Sequence, residues 1–134
     1  MKCISKNCDD NVSGSLIAEA ETKCTIVIRE DIKEFLKKNS GGYPIKDIIV
    51  SDGEEYEVRV FLSLGASNEY FSIEKPLWYF LKKTAGKIIP IGIDSGDNYY
   101  CVNNETGKVY YWNASEDAYF CIANSLNDFV LLFE

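Results

Sequence analysis

Histidine is absent from the 134 residues of this chain. Ser-His and Cys-His nucleophile pairs, histidine-ligated zinc and histidine general bases are therefore excluded. A Gly-rich phosphate loop and a Gly-x-Ser-x-Gly elbow are missing as well. The sequence thus predicts a protein that is not an enzyme and carries no cofactor. Acid–base chemistry by carboxylates, or nucleophilic chemistry by Cys101, is the alternative that these absences leave open.

Long apolar runs are also missing. No stretch reaches the roughly 20 apolar residues of a membrane span, and MKCISKNCDDNVSGS has no apolar run of signal length. The five cysteines are an odd number, which suits free thiols in a reducing compartment. Only Cys3 and Cys8 are close in sequence, and a thiolate zinc site needs a second close pair. We therefore expect a cytoplasmic protein with no membrane segment, no metal site and mostly buried thiols.

The charge balance is acidic, with 14 Lys and Arg against 21 Asp and Glu and a net charge of −7. Phosphate contacts need a clustered cationic surface, so nucleic acid is not expected as a partner. A basic partner fits better, although acidity also keeps a protein in solution without any partner. The length and the 46% hydrophobic content fit one domain with a real core.

A helix that begins at Glu30 and ends within FLKKNSGGYP (residues 35–44) is the clearest local pattern. Its apolar face consists of Ile32, Phe35 and Leu36, at i, i+3 and i+4. Asn39 or Gly41 can take the left-handed conformation that closes a helix, and Pro44 prevents its continuation. Backbone geometry therefore accounts for the Gly-Gly-Tyr-Pro stretch, with Tyr43 packing over the turn. Before this helix, TIVI (residues 25–28) has the β-branched composition typical of a strand.

Sheet patterns dominate the rest of the chain. IKDIIV and EYEVRVFLSL, joined by the turn SDGE, predict two antiparallel strands covering residues 45–64. KIIPIGID predicts a strand in which Pro90 marks an edge or a bend. DNYYCVNNETGKVYYWN predicts a hairpin, because NETG supplies the turn glycine.

Two further helices complete the pattern. One runs from Pro76 to Thr84 and stops at Gly86, and the other begins at Ser125 as N-cap. Trp78 and Tyr79 lie off the apolar stripe of the first of these helices, and we expect them to cover a neighbouring sheet rather than form an exposed patch. Residues 1–24 are read as an N-terminal arm or short helix of the same domain.

In this order, FLKKNSGGYP, IPIGIDSGDNYYCVN, GKVYYWN and IANSLNDFVLLF resemble the SUKH superfamily, which includes the Smi/Knr-type regulators of yeast wall synthesis. The resemblance runs from about Val27 to Phe133. One departure is the single glycine, Gly96, before Asp97, where members often have two. The resemblance implies an α+β fold, a curved, mostly antiparallel sheet with helices packed against it, in a SUKH-like domain of residues 25–134. It also implies no catalytic centre.

Bacterial members of this superfamily are typically immunity proteins, encoded beside polymorphic or contact-dependent toxins that they bind and block. The resemblance therefore implies an immunity protein that occludes the active site of a cognate toxin, with a basic nuclease domain as the expected partner. An intracellular scaffold or regulatory domain unrelated to toxins is the alternative.

Carboxylates that mimic phosphates and aromatic anchors suit the recognition of a basic active site. The candidate contacts are Asp52, Glu54, Glu55, Asp94, Asp97, Tyr99, Tyr110, Trp112, Glu116 and Asp117. Because side chains alternate along a strand, about half of the hairpin's aromatic rings should face the core instead.

Overall fold

A five-stranded antiparallel sheet forms the centre of the computed structural model, which describes residues 1–9, 12–65 and 71–134. The described helices are α1 (Gly14–Cys24), α2 (Glu30–Asn39), α3 (Glu74–Thr84) and α4 (Leu126–Leu131). The described strands are β1 (Ser5–Lys6), β2 (Tyr43–Pro44), β3 (Ile48–Ser51), β4 (Glu54–Glu57), β5 (Val60–Phe61), β6 (Ile88–Ile93), β7 (Tyr99–Asn103), β8 (Val109–Asn113) and β9 (Ala118–Ala123).

The central sheet has the order β5-β6-β7-β8-β9, and β1–β2 and β3–β4 form two separate antiparallel pairs. One face of the sheet joins the main core with α2 and α4, where the Phe35 ring meets Phe61 and Phe129 at centroid distances of 5.2 and 6.3 Å. Helix α3 covers part of the other face, where Phe80 meets Trp112 at 5.1 Å. These layers confirm the predicted α+β class.

The predicted amphipathic helices are present. Ile32, Phe35 and Leu36 of α2 are buried, and Gly41 has the left-handed φ of +72° that ends this segment. In α4, the Ser125 hydroxyl accepts the amide of Asp128 at 3.1 Å, which is the predicted N-cap. Sequence periodicity sufficed here because each helix buries a single face.

The segment TIVI is not a strand, so this prediction was wrong. Residues 26–29 form the connection between α1 and α2. The Ile28 amide donates to the Glu21 carboxylate at 2.8 Å, and Ile28 is buried. A side chain of α1 thus satisfies the backbone that a neighbouring strand would otherwise have paired.

The predicted long strand over residues 55–64 is divided in two. Strand β4 pairs only with β3, whereas β5 joins the central sheet next to β6. The Val58 amide donates to Asp47 and the Arg59 amide donates to Ile93, so the chain changes sheets between these two residues. Neighbouring residues of a strand point to opposite faces, yet Val60 and Phe61 are both buried because β5 lies in the core.

Pro90 lies in β6, an interior strand, so the edge alternative was wrong and the bend was correct. The register between β6 and β7 shifts between Pro90 and Gly92. A proline cannot donate to the ladder, and a bulge accommodates it.

None of the helices in the described ranges has the length and apolar character that crossing a bilayer requires. Within the same ranges, no group of three Cys, Asp or Glu side chains is arranged to hold a metal ion. The thiols differ from expectation, because only Cys24 and Cys101 are buried whereas Cys3 and Cys121 are exposed.

Candidate protein-binding site

Two turns meet at one end of the central sheet. The register pairs Ile93 with Tyr99 and Asn113 with Ala118, so residues 94–98 and 113–117 project from the same end. The Asn98 carboxamide oxygen accepts the amide of Ala114 at 2.9 Å and joins the two turns. We call this surface the loop end, defined by residues 94–98 and 113–117 with the cleft beside them. It brings together Asp97, Tyr99, Trp112, Glu116 and Asp117 of the predicted contacts.

Asp94 shapes the first turn from within. It is 8% exposed, and its carboxylate accepts the amides of Gly96 and Asn98 at 2.9 and 2.8 Å. It also accepts the hydroxyl of Tyr111 at 2.7 Å. Burial, followed by this hydrogen bond, raises the pKa of Tyr111. The Asp94 carboxylate is thus committed to the fold of the turn, whereas Asp97, at φ +64°, is exposed.

A cleft lies between the first turns of α3 and the ends of β7 and β8. Its walls are Lys75, Pro76, Tyr79, Ile93, Asp97, Tyr99, Trp112 and Ala114. Trp112 forms the floor, stacked on Tyr99 at 6.1 Å and tilted against Tyr79 at 5.6 Å. Tyr79 is 48% exposed and stands at the rim. The cleft therefore combines aromatic surface with the exposed carboxylate of Asp97 and the ammonium group of Lys75.

Lys83 and Asp117 form a charge pair next to this floor. The Lys83 ammonium donates to the Asp117 carboxylate and lies 5.2 Å from the centroid of the Trp112 ring. The hydrogen bond with Lys83 lowers the pKa of Asp117, and the same bond raises the pKa of Lys83. Because Lys83 engages Asp117 and Asp94 is buried inside its turn, Asp97 and Glu116 are the exposed carboxylates of the loop end without an ion pair among the described residues.

Tyr110 lies further along β8, away from the two turns. It pairs across the strands with Cys101 and Cys121, and its ring meets Tyr119 edge-on at 6.1 Å. It is partly buried on the same face as Trp112. Alternation holds as predicted for the other rings, since Tyr100 is fully buried on the opposite face.

The structure places Asp52, Glu54 and Glu55 on a different surface, the exposed tip of the β3–β4 hairpin. The Ser51 hydroxyl donates to the Ile122 carbonyl at 2.7 Å, near the end of β9 that is remote from the loop end. Tyr56 contacts Tyr111, so the hairpin lies over the sheet face opposite to Trp112. Of the ten predicted contacts, five therefore meet at the loop end and three lie at the hairpin tip, whereas Asp94 is buried inside its turn and Tyr110 lies further along β8.

Sequence reasoning missed Tyr79 and Lys83 as members of the site. Tyr79 had a signal, because it lies off the buried stripe of α3 and was expected to cover the sheet. Its ring does contact Trp112, but about half of it faces solvent. Lys83 had no signal beyond its position in the last turn of α3, where a cation favours the helix dipole.

Fold and surface together define a small α+β domain with an acidic and aromatic loop end. The sequence profile of the SMI1 / KNR4 family (SUKH-1) matches residues 11–131. The chain therefore belongs to the SMI1 / KNR4 family (SUKH-1), as the resemblance indicated.

Two individual proteins are similar to the chain. The SPbeta prophage-derived uncharacterized protein YokK of Bacillus subtilis (strain 168) is 26% identical over 137 residues, covering 85% of this chain and 70% of that protein. A crystal structure of a protein from Pseudomonas syringae pv. tomato superposes with a TM-score of 0.60 at 20% identity. That alignment covers 92% of this chain and 82% of the other, and it supports the fold.

Proposed function

We propose that this protein is an immunity protein that binds a cognate toxin and neutralises it by covering its active site or substrate channel. Membership of the SUKH-1 family supports this proposal, since bacterial members typically have this role. The prophage origin in the name of the Bacillus subtilis relative fits a gene carried for bacterial competition. In this proposal the domain catalyses no reaction.

The observation that carries the proposal is the composition of the loop end. Asp97 lines a cleft whose floor and rim are Trp112 and Tyr79, and Glu116 lies on the adjacent turn. Neither carboxylate forms an ion pair among the residues that the structure describes. Tyr and Trp supply large contact area at low entropic cost, and they are frequent interface anchors. Carboxylates on a preformed turn attract the cationic site of a nuclease, where substrate phosphates would otherwise bind.

The rigidity of the turns supports recognition. The Asp94 carboxylate accepts the amides of Gly96 and Asn98 within the turn and the hydroxyl of Tyr111 on β8, and Asn98 links this turn to the second one. Surface side chains on an ordered turn lose less conformational freedom on binding than those on a mobile loop. We therefore propose the loop end, rather than the hairpin tip, as the docking surface for a basic toxin domain.

The test is a pull-down with the product of the adjacent gene, combined with a survival assay in cells that produce this product. We expect a stable complex, and survival only when the immunity protein is present. A complex with an unrelated cellular protein, without any protection, would favour the scaffold alternative. Turnover of substrate by the purified protein that is lost on carboxylate-to-alanine substitution would contradict the non-enzymatic proposal.

A further inference from the structure

Two thiols lie side by side in the N-terminal segment. The Sγ atoms of Cys3 and Cys8 are 3.9 Å apart, although four residues separate them in the sequence. Cys3 is exposed and Cys8 is partly buried. A disulfide needs a sulfur–sulfur distance of about 2.05 Å, so the gap to be closed is within the reach of side-chain rotation and a small backbone shift.

The surrounding contacts hold this arrangement in place. The Ser5 hydroxyl lies 3.1 Å from the Cys8 sulfur and donates to the Asn39 side-chain oxygen at 2.7 Å. The Ile4 amide donates to the same oxygen at 2.9 Å, and Ile4 is fully buried. Hydrogen bonds to Asn39 thus anchor the segment between the two cysteines to the end of α2, and this anchoring holds the two sulfur atoms next to each other.

We propose that Cys3 and Cys8 are a site of reversible oxidation, which low-molecular-weight disulfides such as oxidised glutathione convert to an intramolecular disulfide. In the first step the Cys3 thiolate attacks one sulfur of glutathione disulfide and releases one glutathione thiolate. In the second step Cys8 loses its proton and attacks the Cys3 sulfur, releasing the second glutathione. The dithiol is oxidised by two electrons, and one glutathione disulfide is reduced to two glutathione molecules.

The two thiols suit different roles in this sequence. Hydrogen bonding with the Ser5 backbone lowers the pKa of Cys3, and burial raises the pKa of Cys8. The exposed thiol with the lower pKa carries more thiolate and meets the small oxidant first. The partly buried thiol acts as the resolving group, since it is already next to the mixed disulfide.

Oxidation would act on the docking of the N-terminal segment. The disulfide closes the short loop that contains Ile4 and Ser5, both of which bind Asn39. A closed loop has fewer conformations available when it detaches. The oxidised segment should therefore stay docked on α2 for longer than the reduced one.

The experiment incubates the full-length protein with mixtures of reduced and oxidised glutathione, quenches it with acid and analyses it by intact-mass and peptide mass spectrometry. We expect loss of two hydrogen masses and a linked peptide pair joining Cys3 to Cys8. At a fixed concentration of reduced glutathione, half-oxidation should require about tenfold less oxidised glutathione for native than for guanidinium-unfolded protein, because the fold pre-positions the sulfur atoms. Cys121, an exposed thiol remote from both, should carry only a glutathione adduct.

The variants Cys3→Ser and Cys8→Ser should each gain an adduct in place of the linked peptide, whereas Cys121→Ser should keep it. Native protein that accumulates only adducts at Cys3, or equal midpoints for native and unfolded protein, would overturn the proposal. Loss of two hydrogen masses that persists in Cys3→Ser would overturn it as well, because the disulfide would then lie elsewhere.

Discussion

Trp112 donates its indole N–H to the carboxylate of Asp117 at 2.9 Å, and thereby ties the floor of the cleft to the turn between β8 and β9. Lys83 of α3 donates to the same oxygen, so one acceptor in the turn binds donors from a helix and from a strand. The geometry of the proposed docking surface therefore depends on the charge of one exposed carboxylate.

The variant Asp117→Asn should have a lower melting temperature than the unmodified protein at neutral pH. Asn tolerates the positive φ of this position, so the change removes mainly the charge that Lys83 binds. The pKa of Asp117 is lowered in the folded state, so its contribution is present above the unfolded pKa of about 3.9 and is lost as pH falls through the folded pKa. Thermal unfolding measured from neutral to strongly acidic pH should show that the difference in melting temperature between the two proteins disappears. The neighbouring variant Glu116→Gln should show no such closure, and a constant difference for Asp117→Asn would contradict the prediction.

Asp94 and Asp97, the two acids of the turn at residues 94–98, should differ in their contribution to stability. Asp94→Ala should lower the free energy of unfolding by about 2 kcal/mol, because it removes the buried acceptor for two amides and the Tyr111 hydroxyl. Asp97→Asn should change it by less than about 0.5 kcal/mol, because this side chain is exposed. Urea unfolding measures both values. Equal losses for the two variants would mean that Asp94 does not organise the turn.

Gly42→Ala should displace the N-terminal segment from the core. A Cβ atom at Gly42 would lie 2.5 Å from the Ser5 hydroxyl oxygen and 3.1 Å from the Cys8 sulfur. We expect a loss of about 1–3 kcal/mol in unfolding free energy and faster proteolysis near the N-terminus. Gly14→Ala is the matched control, because no atom lies within 4 Å of its added Cβ. Unchanged stability in Gly42→Ala would show that the segment is not held by this contact.

Charge-matched double variants distinguish the two acidic surfaces. Asp97→Asn with Glu116→Gln removes two charges from the loop end, and Asp52→Asn with Glu54→Gln removes two charges from the hairpin tip. Both remove two negative charges, so differences between them report location rather than net charge. We expect the loop-end variant to bind the toxin at least about tenfold more weakly, or about 1.4 kcal/mol, and the hairpin variant to stay within about threefold. The reverse order, measured by calorimetry, would place the docking surface on the hairpin.

Association with a basic toxin should slow as salt concentration rises, with a smaller effect on dissociation. Steered encounter depends on the long-range field of a protein with a net charge of −7, and salt screens this field over about 10 Å at 0.1 M. Stopped-flow measurements at several ionic strengths would show how steeply the association rate constant falls with salt concentration. Association rates that stay flat would indicate that shape and apolar contact, not charge, govern the encounter.

Local sequence patterns were sufficient to predict the elements whose determinants lie within a few residues. The apolar stripe of α2, the glycine that ends it and the serine cap of α4 each depend on neighbours within a few residues. The division of residues 55–64 was not predictable in this way, because the break depends on where Asp47 and Ile93 offer carbonyl groups. The strand expected at residues 25–28 failed for the same reason, since a carboxylate of α1 binds that backbone.

The candidate site shows the same limit. Composition identified acids and aromatic residues suited to a basic partner, but strand register decides which of them meet. Asp94 and Asp97 are three residues apart and look alike in the sequence, yet one is buried inside the turn and the other is exposed. Tyr79 joins Trp112 only because α3 packs across the sheet.

The sequence by itself determined the acidic balance, the absence of histidine chemistry, the helix faces and the family resemblance, because these are properties of composition or of near neighbours. Only the tertiary structure decided that the acids divide between two surfaces, that the N-terminal segment docks beside Gly42 and that two thiols meet. The physical reason is that burial and side-chain proximity arise from contacts between residues distant in sequence, which local periodicity does not encode.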